Sequence, residues 1–380
     1  MPLRTPLCDR LGIEHPIVGF TPSEHVAAAI SQAGGLGVLG CVRYNDADEL
    51  EAALTWMDAN TGGTPYGVDV VMPAKVPAEG TQVDLGQMIP AGHKEFVEQT
   101  LRRLGVPPLP ADQERRDGVL GWLHSVARVH VEVALEHPVA LIANALGSPP
   151  DDVIAAAHDR GIAVAALAGK AEHAARHVSR GVDIVVAQGY EAGGHTGEIA
   201  SMVLVPEVVD AVGSGVPVLA AGGIGSGRQI VAALALGATG VWMGSYWLTT
   251  QEYTLGTSVP GLRDALLAAT SSDTVRSRIY SGKTARLLKN EWTKAWDEPG
   301  APEPLPMPLQ NLLVSEAHQR LMESGNPAVV PMPVGQIVGR MNSVRPVAEV
   351  MAALLAEADE ALSHLAQAAK DPGSLSSGTR

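Results

Sequence analysis

His195 stands in the run Gly193–Gly194–His195–Thr196–Gly197, just beyond a short apolar segment, Ile184–Ala187. A histidine held among glycines at the end of a strand can reach into a mouth without being buried. Its unperturbed pKa of about 6.5 suits proton transfer at neutral pH. On spacing alone, a solvated loop histidine is an equal reading. Gln188 follows the same apolar segment and carries both an amide donor and an acceptor; tying down its own loop would use them equally well. Further on, Gly222, Gly223, Gly225 and Gly227 follow a second apolar segment, Val216–Ala221. Glycines there let the backbone approach a ligand and adopt positive φ. A helix from about Arg228 would then aim free N–H groups and its positive dipole end at an anion. A third segment, Gly240–Met243, runs into Met243–Gly244–Ser245, a second backbone turn with a hydroxyl. Two such loops in succession match the kind of phosphate site built after the last two strands of many barrels, tight turns alone being the other reading of either loop.

These residues need rigid elements to hold them. The three apolar segments are too short for buried helices, are rich in Val, Ile and Ala, and end near glycines, so each reads as a buried parallel strand. Pro206–Val212 and Gly227–Leu236 read as the helices between them. The same alternation runs back to the start of the chain. Strands are expected at His15–Phe20, Leu36–Cys41, Gly67–Met72, Val139–Leu146 and Ile162–Leu167. Helices follow from caps at Ser23 and Asn45 and at Val119–Leu135, Asp151–Arg160 and Ala171–Ser179. Eight β/α units, none with the polar alternation of a half-exposed sheet, predict an α/β fold of the (β/α)8 TIM barrel type.

The rhythm breaks over residues 73–118, which hold six prolines and one convincing helix, His93–Leu104. An excursion of that length between barrel strands usually covers an active site. After Tyr253 the chain becomes helical and Pro-rich, with five prolines in Pro299–Pro308 and helices at Gln310–Ser324 and Val347–Ala366. The expected division is a barrel of residues 1–75 and 131–253, with 76–130 and 254–370 forming a helical cap over its mouth. Residues 371–380 are expected to be a disordered tail.

With 46% hydrophobic residues the 380-residue chain can fill a large core, mostly with Ala, Val, Leu and Gly. A net charge of −14 without a Lys/Arg cluster disfavours nucleic acid and anionic membranes as partners. Cys8 and Cys41 are too few for a disulfide framework, and no apolar run suits a signal or a span. A soluble, cytoplasmic protein is expected.

The segments AQGYEAGGHTG, AAGGI and GATGVWMGS resemble those of the nitronate monooxygenase (2-nitropropane dioxygenase-like) family, FMN-dependent barrel enzymes. Bacterial FMN-dependent enoyl-thioester reductases share the framework. The similarity runs from HPIV and AISQAGGLGVLG to VRPVAEVMAALLAEADEAL. The resemblance implies FMN as cofactor and His195 as catalytic base or proton donor. It places Gln188 against the flavin pyrimidine edge and Gly193, Gly194, Gly222, Gly223, Trp242, Met243, Gly244 and Ser245 in contact with FMN. Lys170 would offer a cation to the reduced flavin, although a surface lysine starting a helix is nearly as good a reading. Two departures fall beside the ring. Phe20 and Thr21 lie in Gly19–Phe20–Thr21–Pro22, where the family commonly has Gln-Ala-Pro-Met or Gly-Met, and Asp69 stands where the family usually has Asn. An acceptor-only carboxylate there would oppose negative charge on the flavin unless paired.

The implied reaction is oxidation of alkyl nitronates with O2. Reduction or dehydrogenation of an acyl thioester is the alternative enzyme, and a non-catalytic flavin-binding protein the alternative of another class. A homodimer is compatible with all three. No metal is expected: His173 and His177 share a helix face without a third ligand and read as solvated. Ser281–Gly282–Lys283–Thr284 resembles a P-loop but lacks the required upstream glycine and a preceding strand. Asp183 reads as a turn residue.

Overall fold

The computed structural model describes residues 3–44, 46–72, 85–110 and 124–370. Helix α1 (Pro6–Leu11) precedes an alternation of β1 (Ile17–Thr21), α2 (Glu24–Gln32), β2 (Leu36–Gly40), α3 (Ala47–Asn60) and β3 (Tyr66–Val70). After α4 (Ala91–Arg103) come α5 (His124–Leu135), β4 (Leu141–Asn144), α6 (Asp151–His158), β5 (Ala163–Ala168), α7 (Ala171–Ser179) and β6 (Ile184–Gln188). A two-residue strand, β7 (Gly194–His195), leads into α8 (Ser201–Val212), β8 (Val218–Ala221), α9 (Gly227–Ala235) and β9 (Gly240–Met243). The last part holds α10 (Leu262–Ala268), β10 (Thr274–Ser277), β11 (Ala285–Leu288), α11 (Glu291–Asp297), α12 (Leu309–Glu323) and α13 (Val347–Lys370). Eight parallel strands, β1 to β6 with β8 and β9, close into a barrel by pairing β1 with β9.

Strand parity sorts the apolar residues into two layers. Val18, Leu36, Val38, Leu141, Ala165, Ile184, Val186 and Leu219 fill the barrel, and Leu7 and Leu11 of α1 pack with them as a plug. The alternate residues, such as Val68, Val70 and Ile142 or Val185, Val218 and Val241, face outward against helices. This double burial is why each strand reads as an unbroken apolar run.

Three expectations need correcting. The cap of α3 is Asp46, whose side chain accepts from Glu49 N at 2.9 Å; Asn45 lies outside the described residues. Ser23 sits at the cap position of α2, but its hydroxyl makes no capping bond and is buried without a partner. Helix α13 does not join a cap. It packs against α9 and α2, with Val350, Met351 and Leu354 in the same core as Ile30 and Ile230, and so completes the outer ring beside the closing strand pair.

The remaining insertion builds a second core. Helices α4 and α12 pack together, with Val97, Leu101, Ile279, Leu287, Trp292, Val314 and Leu321 buried between the segments. Arg320 of α12 is 4% exposed and clasps the segment after α4, donating to Pro107 O (2.8 Å), Val106 O (3.4 Å) and Glu98 Oε1 (2.8 Å). The expected tail at 371–380 lies outside the described residues, as do 73–84 and 111–123 of the excursion.

Candidate active site

The carboxyl ends of the strands bring four predicted residues to one level inside the barrel. Phe20 and Trp242 project inward beside each other, their rings 6.1 Å apart and within 19° of parallel. Asp69 lies between outward-facing Val68 and Val70, so parity turns it inward, and it is 3% exposed. Gln188 follows outward-facing Ala187 and also turns inward. Its amide makes no hydrogen bond among the described residues, so it does not tie down its own loop. Thr21 and Met243 point the other way. Thr21 Oγ1 accepts from Ser23 N at 3.1 Å, and the Met243 side chain is in the outer core. Lys170, at the cap position of α7, is exposed, and its charge acts on Glu198.

The glycines turn out to serve two different purposes. Gly222 and Gly223 have φ of 94° and 73°, a left-handed conformation that L side chains resist. Gly225 and Gly227, by contrast, are required by packing. A Cβ on Gly227 would sit 2.1 Å from Ala358 N of α13, and one on Gly225 2.3 Å from the Ile337 side chain. The protein's own groups occupy part of the start of α9. Gly227 N donates to Glu357 Oε2 (3.0 Å), Gln229 N to Ser226 Oγ (3.3 Å) and Gly225 N to Gln229 Oε1 (2.9 Å). Among the described residues no acceptor is found for the N–H groups of Gly223, Ile224 and Arg228, or for that of Ser245 in the neighbouring turn. Ser245 Oγ itself accepts from Gly335 N at 2.9 Å.

His195 is not a loop histidine. Strand β7 pairs antiparallel with β11, which pairs with β10, so the residue belongs to a small sheet beside the mouth. Gly193 and Gly194 are demanded by that placement: a Cβ on Gly193 would lie 2.6 Å from Gly335 N, and Gly194 has φ 71°. The loop before them is held by Tyr190, whose ring meets the guanidinium groups of Arg276 and Arg286 at 4.3 and 4.7 Å. Arg286 also donates to Tyr190 O at 2.9 Å.

The sequence reading of His195 as an unperturbed group also changes. Burial, and then the nearby charge of Lys283, lower its pKa to about 4, so the imidazole is neutral at physiological pH and able to accept a proton. Its Nε2 lies 2.6 Å from Oγ of Ser281, which is fully buried. Tyr280 packs edge-on to the imidazole at 6.2 Å and stacks on His318 at 5.0 Å. The Ser281–Thr284 segment thus holds the candidate base. A strand, β10, does precede it, contrary to the sequence expectation, but β11 follows in place of the helix a P-loop needs.

Tyr280, Gly335 and the Arg276–Arg286 pair escaped the sequence reading, as did the partnership of Ser281 with His195. The Gly193–His195 run gives no local sign of partners 86 residues or more away. His177 was also misread as solvated. It is 5% exposed and bonds Ser148 Oγ (2.7 Å) and Leu167 O (3.2 Å) through its two ring nitrogens. Asp183 anchors the start of β6 by accepting from Arg10, His158 and Val164 N.

Comparison with known proteins places this geometry. The nitronate monooxygenase family model matches residues 4–357. The Mycobacterium tuberculosis protein named "Putative monooxygenase Rv1533" is 50% identical, over 93% of this chain and 96% of its own. A "Probable nitronate monooxygenase" of Staphylococcus aureus is 26% identical over 94% of this chain and 98% of its own. Among solved structures, nitroalkane oxidase from Streptomyces ansochromogenes superposes with a TM-score of 0.77 at 27% identity, covering 94% of this chain and 99% of that one. FabK from Thermotoga maritima gives 0.72 at 26% identity, covering 96% and 99%. With a family match over nearly the whole barrel and a closely similar monooxygenase relative, this chain is an oxidoreductase that belongs to the nitronate monooxygenase family.

Proposed function

We propose that the protein is an FMN-dependent oxidoreductase that oxidises alkyl nitronates with O2. The observation that carries this reading is a neutral histidine, oriented by Ser281, beside the barrel mouth into which Phe20, Asp69, Gln188 and Trp242 project. The residues present fit FMN. Unpaired N–H groups at Gly223, Ile224 and Ser245 suit a phosphate, Gln188 has an unused donor and acceptor for the pyrimidine edge, and Phe20 and Trp242 offer flat apolar surface. Gly193, Gly194, Gly222 and Gly244 line the backbone on either side. FMN, when bound, supplies the two-electron acceptor that O2 restores.

The chain's own contribution is proton handling and positioning. His195, uncharged at neutral pH, removes the α-proton of a neutral nitroalkane. The C–H electron pair moves into the nitro group, giving the nitronate, while Ser281 holds the ring. A preformed nitronate has no such proton to lose.

The test is His195→Asn. Activity on neutral nitroalkane should fall roughly 10²–10⁴-fold, the usual worth of a general base, with much less loss on nitronate and unchanged FMN content. Equal losses on both substrates would show that His195 positions the anion instead. Anaerobic mixing separates the rival activities. Flavin reduction by nitronate supports this reading, reduction only by NAD(P)H followed by turnover of an enoyl thioester replaces it with a reductase, and reduction by neither leaves a binding protein.

A further inference from the structure

Asp69 differs from every other carboxylate in the described structure for which a marked shift is found, because burial alone acts on it. It is inward-facing and 3% exposed, at the level of Gly40 and Ala143 on the flanking strands, neither of which has a polar side-chain atom. No hydrogen bond or ion pair reaches its carboxyl group among the described residues. No charge on the packed elements acts on it: Arg43, in the turn after β2, faces Glu24 (3.5 Å) and Pro22 O (3.0 Å), and Arg128 of α5 pairs with Asp152 (2.6 Å). Cys41, just after β2, is a thiol that burial keeps protonated. His130 of α5, over the outer face of β3, is also kept neutral by burial and bonds Tyr44 O at 3.1 Å. Phe20 and Trp242 complete the inward layer.

An isolated ionised carboxylate in such a place is far more costly than a neutral one, and the group relieves that cost by keeping its proton. A carboxylic acid differs from a carboxylate in having an O–H to give, so it presents one donor and one acceptor, as an amide does. We propose that Asp69 is a neutral carboxylic acid in the working protein and donates its proton in a hydrogen bond to the flavin. This rests on the FMN reading above. It explains how a residue that would otherwise repel a negative flavin can stand where the resemblance leads one to expect Asn. The acid performs the amide's task, and does so only while it keeps its proton.

The pH consequence follows in sign. Burial raises the folded-state pKa of Asp69 well above the ordinary carboxylate range. Above about pH 4 the unfolded chain has released this proton while the folded chain still holds it. The folded state then binds more protons, so its stability declines as pH rises, up to the folded-state pKa. Asp69→Asn removes that slope.

The experiment has two independent arms. In the first, the protein as purified is titrated by infrared difference spectroscopy. At pH 7 the C=O band of a protonated carboxyl is expected, and it should be absent from both Asp69→Asn and Asp69→Ala. The stability gap between Asp69→Asn and wild type should widen in favour of Asn from pH 5 to pH 9. In the second arm, FMN dissociation from stripped protein is followed by flavin fluorescence. Wild-type affinity should weaken by about tenfold or more once Asp69 ionises, the worth of one strong hydrogen bond, while Asp69→Asn should bind equally across that range. No protonated band at pH 7, with a stability gap independent of pH, overturns the proposal. Should neither wild type nor Asp69→Asn bind FMN, the flavin reading falls with the proposed hydrogen bond, while the band still reports the state of Asp69.

Discussion

The Nε2 atom of His195 lies 2.6 Å from Oγ of Ser281, a residue 86 positions further along the chain. The contact fixes which way the imidazole faces, while burial and the nearby Lys283 charge keep the ring neutral. Ser281→Ala should therefore lower the rate on neutral nitroalkane by about 10- to 100-fold, a part of what the base itself contributes. Oxidation of preformed nitronate and FMN content should change little. A uniform loss on both substrates would mean that Ser281 serves the fold of the small sheet and not the base.

The pH profile carries a second expectation. With its pKa lowered to about 4, His195 remains a competent base well below pH 6. The acid limb of kcat/KM for neutral nitroalkane should fall near that value and not near the ordinary histidine range. Lys283 is the second cause of the shift, after burial, and its positive charge disfavours protonation. Lys283→Met should move the limb upward, and added salt should move the wild-type limb in the same direction by screening an exposed lysine. A limb that stays put in Lys283→Met would remove that charge from the account.

Two glycines four residues apart, Gly223 and Gly227, should behave differently. Gly223→Val meets a φ of 73° and sits where unpaired N–H groups face the proposed phosphate, so FMN retention should drop by about an order of magnitude or more. Gly227→Ala pushes a methyl into the α13 backbone. Its cost should be about 1–3 kcal/mol of overpacking, read as a lower denaturant midpoint, with FMN affinity in the folded fraction unchanged. The reverse pattern would exchange the two assignments.

Arg320→Ala removes the side chain that joins α12 to the segment after α4. Leaving Pro107 O and Val106 O without their donor should cost roughly 1–3 kcal/mol, with the half-exposed Glu98 adding little. Hydrogen exchange should rise in α4 and α12 and stay near wild type in the barrel strands. Uniform loss of protection would mean that the insertion and barrel unfold as one unit.

How far the sequence could be read follows from where each signal lies. The barrel strands were legible because both faces of Val185–Ala187 or Leu219–Ala221 are covered, which leaves a continuous apolar run. Helices α7 and α9 were legible within a residue from their helical composition between the strands. The small sheet was not legible: β7 is two residues long, and its partner β11 includes Arg286, whose burial is compensated by Thr274 and Tyr190. The glycine cluster after β8 was read as one phosphate device, but composition cannot tell a glycine that admits a ligand from one that admits another helix. The four inward residues were picked out through the family resemblance, whereas the protonation of Asp69 and the neutrality of His195 depend on surroundings assembled from distant segments.

The placement of α13 has a consequence for how the chain is made. Its barrel neighbours α2 and α9 are synthesised long before it, and about a hundred residues separate β9 from its start. While the ribosome delivers that stretch, Ile30 and Ile230 lack the cover that Val350, Met351 and Leu354 give them. That cover therefore comes only from a segment translated about a hundred residues after β9, through contacts of very long sequence separation. The nascent barrel spends that interval with an apolar stripe open to water, the condition under which chains aggregate or engage chaperones.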